Sequence, residues 1–186
     1  MFFRILTVIP IAILLGTIGG GTFAAGFGDA QTSVAASGGL LFAGPLLMIL
    51  FRQKYPRWWF DWNIALLRFE LRVAAYMALL TDTYPSTDEE QSVHVTVPYP
   101  DVPVELNRWL PLVKWFLAIP HLIVVVLLAV AAFVVTVIAW FAILFTGQYP
   151  RGMFAFVTGV FRWATRVQAY ALLLTTDRYP PFSLDE

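Results

Sequence analysis

The residues of this sequence that could carry chemistry are few. The chain has 186 residues, with 12 Lys and Arg, 12 Asp and Glu, 2 His and no Cys. The absence of cysteine excludes disulfides, thiolate metal sites, iron–sulfur clusters and cysteine nucleophiles. A formal net charge of zero argues against a nucleic-acid-binding protein, because such proteins carry a basic surface.

Most of the candidate binding residues are arginines that recur at matching positions in two parts of the sequence, namely Arg57, Arg68, Arg72, Arg151, Arg162 and Arg166. Residues four apart share one face of a helix, so Arg68 with Arg72, and Arg162 with Arg166, form two pairs. Phosphates of anionic lipids and carboxylates of partner proteins are natural counterions for arginines at the membrane surface. We predict that these arginines bind lipid or a partner, although plain membrane anchoring explains them equally well.

Two further ionisable residues, Glu70 and His121, fall in largely apolar surroundings. Glu70 lies opposite the arginines on the predicted helix, and a salt bridge to Arg52 or Lys54 is favoured over an ion or substrate site. For His121, a hydrogen bond to the backbone of a neighbouring helix is favoured over proton transfer. Neither histidine of the sequence has Asp or Glu residues at metal-ligand spacing, so we predict no metal site, no cofactor and no catalytic residue.

The composition of the chain, and so of the helices that must position these residues, indicates a membrane protein. Hydrophobic residues make up 59% of the chain and charged residues 13%, whereas about 25% of residues are charged in ordinary soluble domains. The mean hydropathy is +0.73. A membrane-spanning helix needs about 20 mostly apolar residues, and residues 3–21, 37–51 and 110–145 are the segments that qualify. A signal peptide is the alternative interpretation of the first segment.

The distribution of basic residues predicts the topology, because the cytoplasmic flanks of membrane helices are rich in Lys and Arg. Basic residues flank the first two segments on one side, and Asp29 is the only charged residue between them. Two crossings within residues 110–145 would keep every basic residue cytoplasmic. The alternative is one long tilted helix, because the sequence from Leu128 to Val135 contains no turn-forming residue. We predict two crossings there, and both termini in the cytoplasm.

The sequence also contains an internal repeat. Tyr55-Pro56-Arg57 matches Tyr149-Pro150-Arg151, and Leu79-Leu80-Thr81 matches Leu173-Leu174-Thr175. Each of these two Tyr-Pro pairs precedes a stretch with arginines on one face and aromatic residues near its start. This pattern is typical of an amphipathic helix that lies in the membrane surface.

The predicted fold class is therefore an all-α integral membrane protein with about four transmembrane helices in two parallel repeats, each followed by an amphipathic interfacial helix. Residues 1–85 form the first repeat, residues 86–105 a hydrophilic connector and residues 106–186 the second repeat. In the connector, Val93, Val95 and Val97 alternate with polar residues, which predicts one short β-strand. Such a strand needs a partner strand from elsewhere.

Three motifs in residues 118–186 are distinctive together. They are a Phe-Thr-Gly-x-Tyr-Pro turn at residues 145–150, an Arg-Val-x-Ala-Tyr sequence at residues 166–170 and a Tyr-Pro-Pro-Phe-Ser-Leu-Asp tail at residues 179–185. This part resembles a prokaryotic membrane family catalogued as domain of unknown function 4389, and the first repeat resembles a degraded second copy. The resemblance implies the plasma (inner) membrane of a prokaryote and a multi-pass protein. It implies no activity and no catalytic residue.

From these features we predict a non-enzymatic accessory or scaffold subunit of a larger membrane assembly or homo-oligomer. Small residues recur at every fourth position from Ala12 to Gly28, which favours close helix packing. The alternative is a lipid-binding protein or small-solute transporter, in which the paired arginines meet phosphates and Glu70 or His121 lines a polar path. The expected partners are membrane lipids, anionic ones included, and other membrane subunits or further copies of the chain, with no nucleic acid.

Overall fold

The computed structural model describes residues 36–185 except Asp88 and Glu90. Their helices are α1 (Ala36–Arg52), α2 (Arg57–Met77), the single turn α3 (Val102–Glu105), α4 (Leu110–Thr146) and α5 (Arg151–Ala171). No β-strand occurs within this described part. The first predicted membrane segment, residues 3–21, lies outside the described residues.

Helices α2 and α5 have the same length, 21 residues, and equivalent ends. Each begins directly after a proline, Pro56 or Pro150, whose fixed φ suits the start of a helix. Each is followed by a leucine in the left-handed region, Leu79 with φ 61° and Leu174 with φ 56°. Such a residue turns the backbone so that the next N–H groups bond back to the last helical turn. The Tyr-Pro repeat of the sequence therefore corresponds to two helices of equal length.

Helix α4 is a single helix of 37 residues, about 55 Å long at 1.5 Å per residue. Pro120 lies inside it without ending it, and the helix ends at Gly147, which has a φ of 71°. The prediction of two crossings within residues 110–145 is wrong, and the alternative of one long helix is confirmed. The physical reason is that no residue from Leu128 to Val135 favours a turn over continued helix.

Helix α5 folds back along α4 in the antiparallel direction. Val157, near the start of α5, packs with Ala132 of α4. Tyr170, near the end of α5, packs with Ala118, which lies about four helical turns before Ala132. The apolar face of α5 is therefore covered by α4, and it is not left for the membrane surface on which the sequence predicted this helix.

Helix α2 lies beside α5, where Gln168 of α5 donates a hydrogen bond to Glu70 of α2. The Tyr55 hydroxyl, just before α2, donates a hydrogen bond of 3.1 Å to the Leu173 carbonyl, just after α5. The start of α2 is thus beside the end of α5. It follows that the two Tyr-Pro-Arg turns, with Arg57 and Arg151, lie at opposite ends of α5, about 30 Å apart along a helix of this length.

The predicted fold class is wrong for the described part of the chain. One helix there, α4, is long and apolar enough to cross a membrane, so about four crossings in two repeats are not found. The predicted strand is also missing. Val93, Val95 and Val97 are half-buried and alternate with exposed polar residues as expected, but the Val95 carbonyl accepts a hydrogen bond of 2.9 Å from Arg68 Nε. An arginine side chain, and not a second strand, binds this segment.

Candidate functional site

The polar side chains of α4 converge on one face, where the helix meets α5 and the C-terminal tail (residues 172–185). Lys114 and His121 are seven residues apart and therefore share this face. Both are buried, although nearly all other side chains of the first half of α4 are apolar. A buried charge is costly unless it is paired. The partners of Lys114 and His121 therefore indicate the role of this face.

Lys114 is paired with the tail. Its ammonium group lies 2.7 Å from Asp177 Oδ1 and donates a hydrogen bond of 2.7 Å to the Thr176 carbonyl. The ring of Tyr170 lies 5.1 Å from Nζ, as in a cation–π contact. Asp177 also accepts a hydrogen bond of 2.5 Å from the Asn107 N–H. The ion pair fastens the start of the tail to the start of α4.

His121 is enclosed by aromatic side chains. The Trp163 indole donates a hydrogen bond of 3.1 Å to Nδ1, so Nδ1 is unprotonated and the neutral ring carries its proton on Nε2. Phe182 stacks on the imidazole at 3.9 Å between ring centroids, and Tyr179 lies at 4.7 Å. The hydrogen bond of His121 is made to a side chain, and the predicted bond to a helix backbone is wrong for Nδ1. The ring forms a packing surface for the tail.

The tail is held along its whole length. The Tyr179 hydroxyl donates a hydrogen bond of 3.1 Å to the Leu117 carbonyl. Arg166 donates to the carbonyls of Ser183 and Asp185. Leu184 lies against Gly159, where a Cβ atom would come within 3.0 Å of its backbone oxygen. The Arg-Val-x-Ala-Tyr sequence and the tail motif therefore meet in space.

The segment after α2 is bound in a similar way. Arg72, the counterpart of Arg166, donates a hydrogen bond of 2.6 Å to the Ser86 carbonyl. Tyr76 packs edge-on against Tyr84 at 6.0 Å, as Tyr170 packs against Tyr179 at 5.8 Å. In both α2 and α5, an arginine and a tyrosine of the helix bind the segment around the following Tyr-Pro pair.

The structure thus gives most of the predicted lipid-binding arginines a partner within the chain. Arg68, Arg72 and Arg166 donate to backbone carbonyls. The guanidinium of Arg57 lies over the Tyr99 ring at 5.5 Å. Arg151 is exposed at the first position of α5. Arg162 lies on the side of α5 that faces α2 and also has an interaction within the chain.

Glu70 meets a neutral partner. Gln168 Nε2 donates a hydrogen bond of 3.2 Å to its carboxylate, between α2 and α5. The predicted salt bridge to Arg52 or Lys54 is therefore not the contact that this carboxylate makes. Burial raises the pKa of the Glu70 carboxyl above its ordinary value, and the bond from Gln168 opposes this shift.

Two concavities flank α5. An apolar groove of about 540 Å³ lies between α4 and α5. A mixed cavity of about 530 Å³ lies between α2, α5 and residues 92–96, and its lining includes Arg162 and Arg166. Within the described part of the chain, no group of three or more His, Asp or Glu side chains could hold a metal ion.

Sequence reasoning missed Lys114, Asp177 and Trp163. A signal for the first was present, because a lysine seven residues before a histidine in an apolar helix shares its face. The partners of both residues lie more than forty positions away in the chain, and no local pattern identifies them.

Comparison with known proteins supports the family resemblance for this part of the chain. Residues 109–183 match the family described as Domain of unknown function (DUF4389). The match includes α4, α5 and nearly all of the tail, and with them every contact of Lys114 and His121. No curated protein and no solved structure matches the chain.

Proposed function

We propose that this chain is a non-enzymatic accessory or scaffold subunit, anchored by α4 in the plasma membrane of a prokaryote, that binds other membrane subunits or further copies of itself. The observation that carries the proposal is the exposed apolar face of α4. Only 11% of its most apolar 18-residue window is buried inside the chain. The core helix of a soluble protein would be mostly buried, so this face needs a different apolar environment.

The cost of leaving this face in water supports a lipid or protein environment. Val130 is 60% exposed, Phe133 69% and Phe145 83%. Burying one such side chain fully is worth about 1.5–3 kcal/mol, and α4 exposes many of them along its length. Contact with hydrocarbon or with partner helices removes that cost.

The contacts of the polar residues support a non-enzymatic role. Lys114 and Asp177 neutralise each other, and His121 is enclosed by aromatic rings. A catalytic group must reach a substrate, whereas these groups bind the tail of their own chain. A scaffold whose tail is fixed in place accounts for polar residues that contact the tail.

We further propose that residues 55–85 are a diverged copy of residues 149–180. The equal lengths of α2 and α5 and their matching Arg–carbonyl and Tyr–Tyr contacts support this relation. A duplicated unit gives the subunit two similar helical faces, of which one covers α4.

Membrane fractionation tests the anchor. The double variant Val130→Arg with Phe133→Arg places two charges on the exposed face, at a cost of about 2.5–3.5 kcal/mol each near the centre of a spanning helix. We expect the wild-type chain to resist alkaline extraction from membranes and the double variant to lose membrane integration. The matched control, Val130→Leu with Phe133→Leu, should behave as wild type. A wild-type chain recovered in the soluble fraction would contradict the proposal.

Purification in a mild detergent tests the accessory role. We expect a stoichiometric partner protein or a homo-oligomer, measured by light scattering and mass spectrometry of the purified material. A monodisperse monomer with no associated protein would contradict this role while leaving the membrane anchor intact.

Lipid binding is a second candidate function, and the mixed cavity that Arg162 lines favours it. The arginines that donate to backbone carbonyls are less suited to it, since their hydrogen bonds are already used within the chain.

A further inference from the structure

The lining of the groove between α4 and α5 suits an apolar occupant. The volume of this groove is about 540 Å³. Among the described residues that line it, Gln168 is the one polar side chain, and its amide nitrogen donates to Glu70. The other lining residues come mostly from the first half of α4 and the end of α5, and they include Trp115, Ile119, Leu122, Ala164 and Val167. A groove lined in this way favours a partner that is itself apolar.

The dimensions of the groove suit a helix. Along α4 the groove extends from Pro111 to Val125, which is about 21 Å at 1.5 Å per residue. A helix of about four turns covers this length. Phe116 is 72% exposed and Ile119 48%, so a helix in the groove would remove large apolar side chains from water.

One apolar segment of the chain, residues 3–21, lies outside the described residues and is long enough to fill the groove. Arg4 is its only charged residue. As a helix, which its sequence predicts, its 19 residues would be about 28 Å long. Ala12, Gly16 and Gly20 are spaced by four residues, so one face of this helix carries small side chains. Such a face allows close approach to the bulky side chains of α4.

The connection to α1 keeps this segment near the groove. Helix α1 ends beside the start of α4, because Arg108 donates to the carbonyls of Leu50 and Phe51. Leu46 of α1 lines the groove itself. Residues 22–35, which join the segment to α1, can extend over about 46–50 Å, more than twice the length of the groove. A short tether keeps a segment at a millimolar effective concentration, which favours the segment of the same chain over that of a second copy.

We propose that residues 3–21 bind as a helix in the groove between α4 and α5, with Ala12, Gly16 and Gly20 towards α4. The segment then covers one side of the first half of α4. The opposite side and the second half of α4 are left for lipid or for partner subunits. This docking does not depend on the scaffold role, because it takes place within one chain.

Disulfide cross-linking of the full chain in membranes tests the docking, since the chain contains no native cysteine. Ile119→Cys places a thiol in the groove, and it is combined in turn with Ala12→Cys, Gly16→Cys and Gly20→Cys. These three positions are about 6 Å apart along a helix, and a disulfide forms where two Cα atoms come within about 7 Å. After oxidation with copper phenanthroline, we expect at least one pair to form a disulfide within a single chain.

The matched control places the second thiol on the other side of α4. Val113 is 48% exposed, as Ile119 is, and it is not among the residues that line the groove. We expect each segment cysteine to react with Val113→Cys about tenfold more slowly than the best pair reacts with Ile119→Cys, because only docked thiols have a high effective concentration. Mass spectrometry of the linked peptides identifies the pairs, and a non-reducing gel separates single chains from dimers.

Two results would overturn the proposal. Equal reaction with Ile119→Cys and Val113→Cys, or no reaction with either, would mean that the segment lies elsewhere and that the groove is open or holds lipid. A disulfide with Ile119→Cys that is found only in dimers would mean that a second copy fills the groove.

Discussion

At the scale of single residues, the buried polar groups of this chain bind its own backbone and tail. Lys114, on a helix of almost continuous apolar sequence, is 1% exposed and meets Asp177, which is 19% exposed. Arg72 and Arg166 donate to carbonyls of the segments that follow their helices. These contacts fix irregular segments that have no secondary structure of their own to satisfy their backbone groups.

The Lys114–Asp177 pair leads to a prediction about unequal partners. Asp177→Asn leaves a fully buried ammonium group without a counter-ion, so we expect a loss of about 3–5 kcal/mol in the free energy of unfolding. Lys114→Met should cost less, because Asp177 is partly exposed and keeps the Asn107 N–H. The double variant should recover much of the loss. Denaturant unfolding in detergent measures all three, and strictly additive effects would contradict a direct ionic coupling.

Glu70 leads to a prediction about pH. Its pKa is raised by burial, so the folded state favours the protonated form. The associated stability is present below the ordinary pKa of the carboxyl and is lost as pH rises through the folded-state pKa. Glu70→Gln removes this titration and keeps a group that can pair with Gln168. We expect its unfolding midpoint to exceed that of the wild type at pH 8 and to approach it at pH 4.

The matched control for this experiment is Asp61→Asn, an exposed carboxylate on the same helix. Because its side chain is exposed, we expect the midpoint of this variant at pH 8 to match that of the wild type. If Glu70→Gln is no more stable than the wild type at pH 8, the carboxylate is not penalised by its position between α2 and α5.

At the scale of elements, α4, α5 and the tail form one interlocked unit, and the residues that match a known family are the same residues. Antiparallel packing of α5 along α4 needs small side chains at the contact, and Ala118, Ala132 and Ala139 are buried there. The tail then closes over His121 through Tyr179 and Phe182. Each element thus packs on the elements that precede it in the chain: α5 packs on α4, and the tail packs on both.

Two glycines of α5 test the docking of the tail. A Cβ at Gly159 would lie 3.0 Å from both Cβ and the backbone oxygen of Leu184, whereas a Cβ at Gly152 would have no atom within 4 Å. Glycine within a helix is less favourable than alanine by about 0.8–1.0 kcal/mol. Gly152→Ala should therefore stabilise the chain by up to about that amount. Gly159→Ala should forfeit this gain and displace the tail.

Hydrogen exchange measures the second effect. We expect faster exchange of the amides of residues 182–185 in Gly159→Ala than in Gly152→Ala, since local opening sets the exchange rate. Equal exchange in the two variants would mean that the tail accommodates the methyl group without leaving α5.

At the scale of the whole molecule, the chain covers one face of α4 and leaves the other apolar and exposed. Phe116 is 72% exposed and Phe145 83%, near the two ends of the helix. The exposed face therefore runs along most of about 55 Å, more than the roughly 30 Å of hydrocarbon in a bilayer. A membrane-spanning α4 would therefore leave part of its length for contact with protein or headgroups.

Single cysteines in this cysteine-free chain distinguish lipid from water around α4. Position 130 is largely exposed on the chain and should react at once with an impermeant thiol reagent if the protein is in water. In intact membranes we expect a cysteine at position 130 to be unreactive until the protein is denatured in detergent. A cysteine at position 185, in the tail, should react as soon as the vesicles are opened. Rapid labelling of position 130 in membranes would show that α4 is not in hydrocarbon.

The sequence by itself determined what depends on local pattern. Apolar composition identified the helix that could cross a membrane, the Tyr-Pro pairs identified where α2 and α5 begin, and the motifs of residues 145–185 identified the family resemblance that the comparison supports. These features follow from the preferences of neighbouring residues, which act over a few positions.

The tertiary structure alone decided which groups meet. Lys114 finds Asp177, Trp163 finds His121 and Gln168 finds Glu70 across 42 residues or more of chain. No periodicity of the sequence predicts these pairs, because the way α5 folds back on α4 and α2 determines which side chains meet. The same reason explains why the predicted strand is missing, because alternating valines form a strand only if a second strand is adjacent.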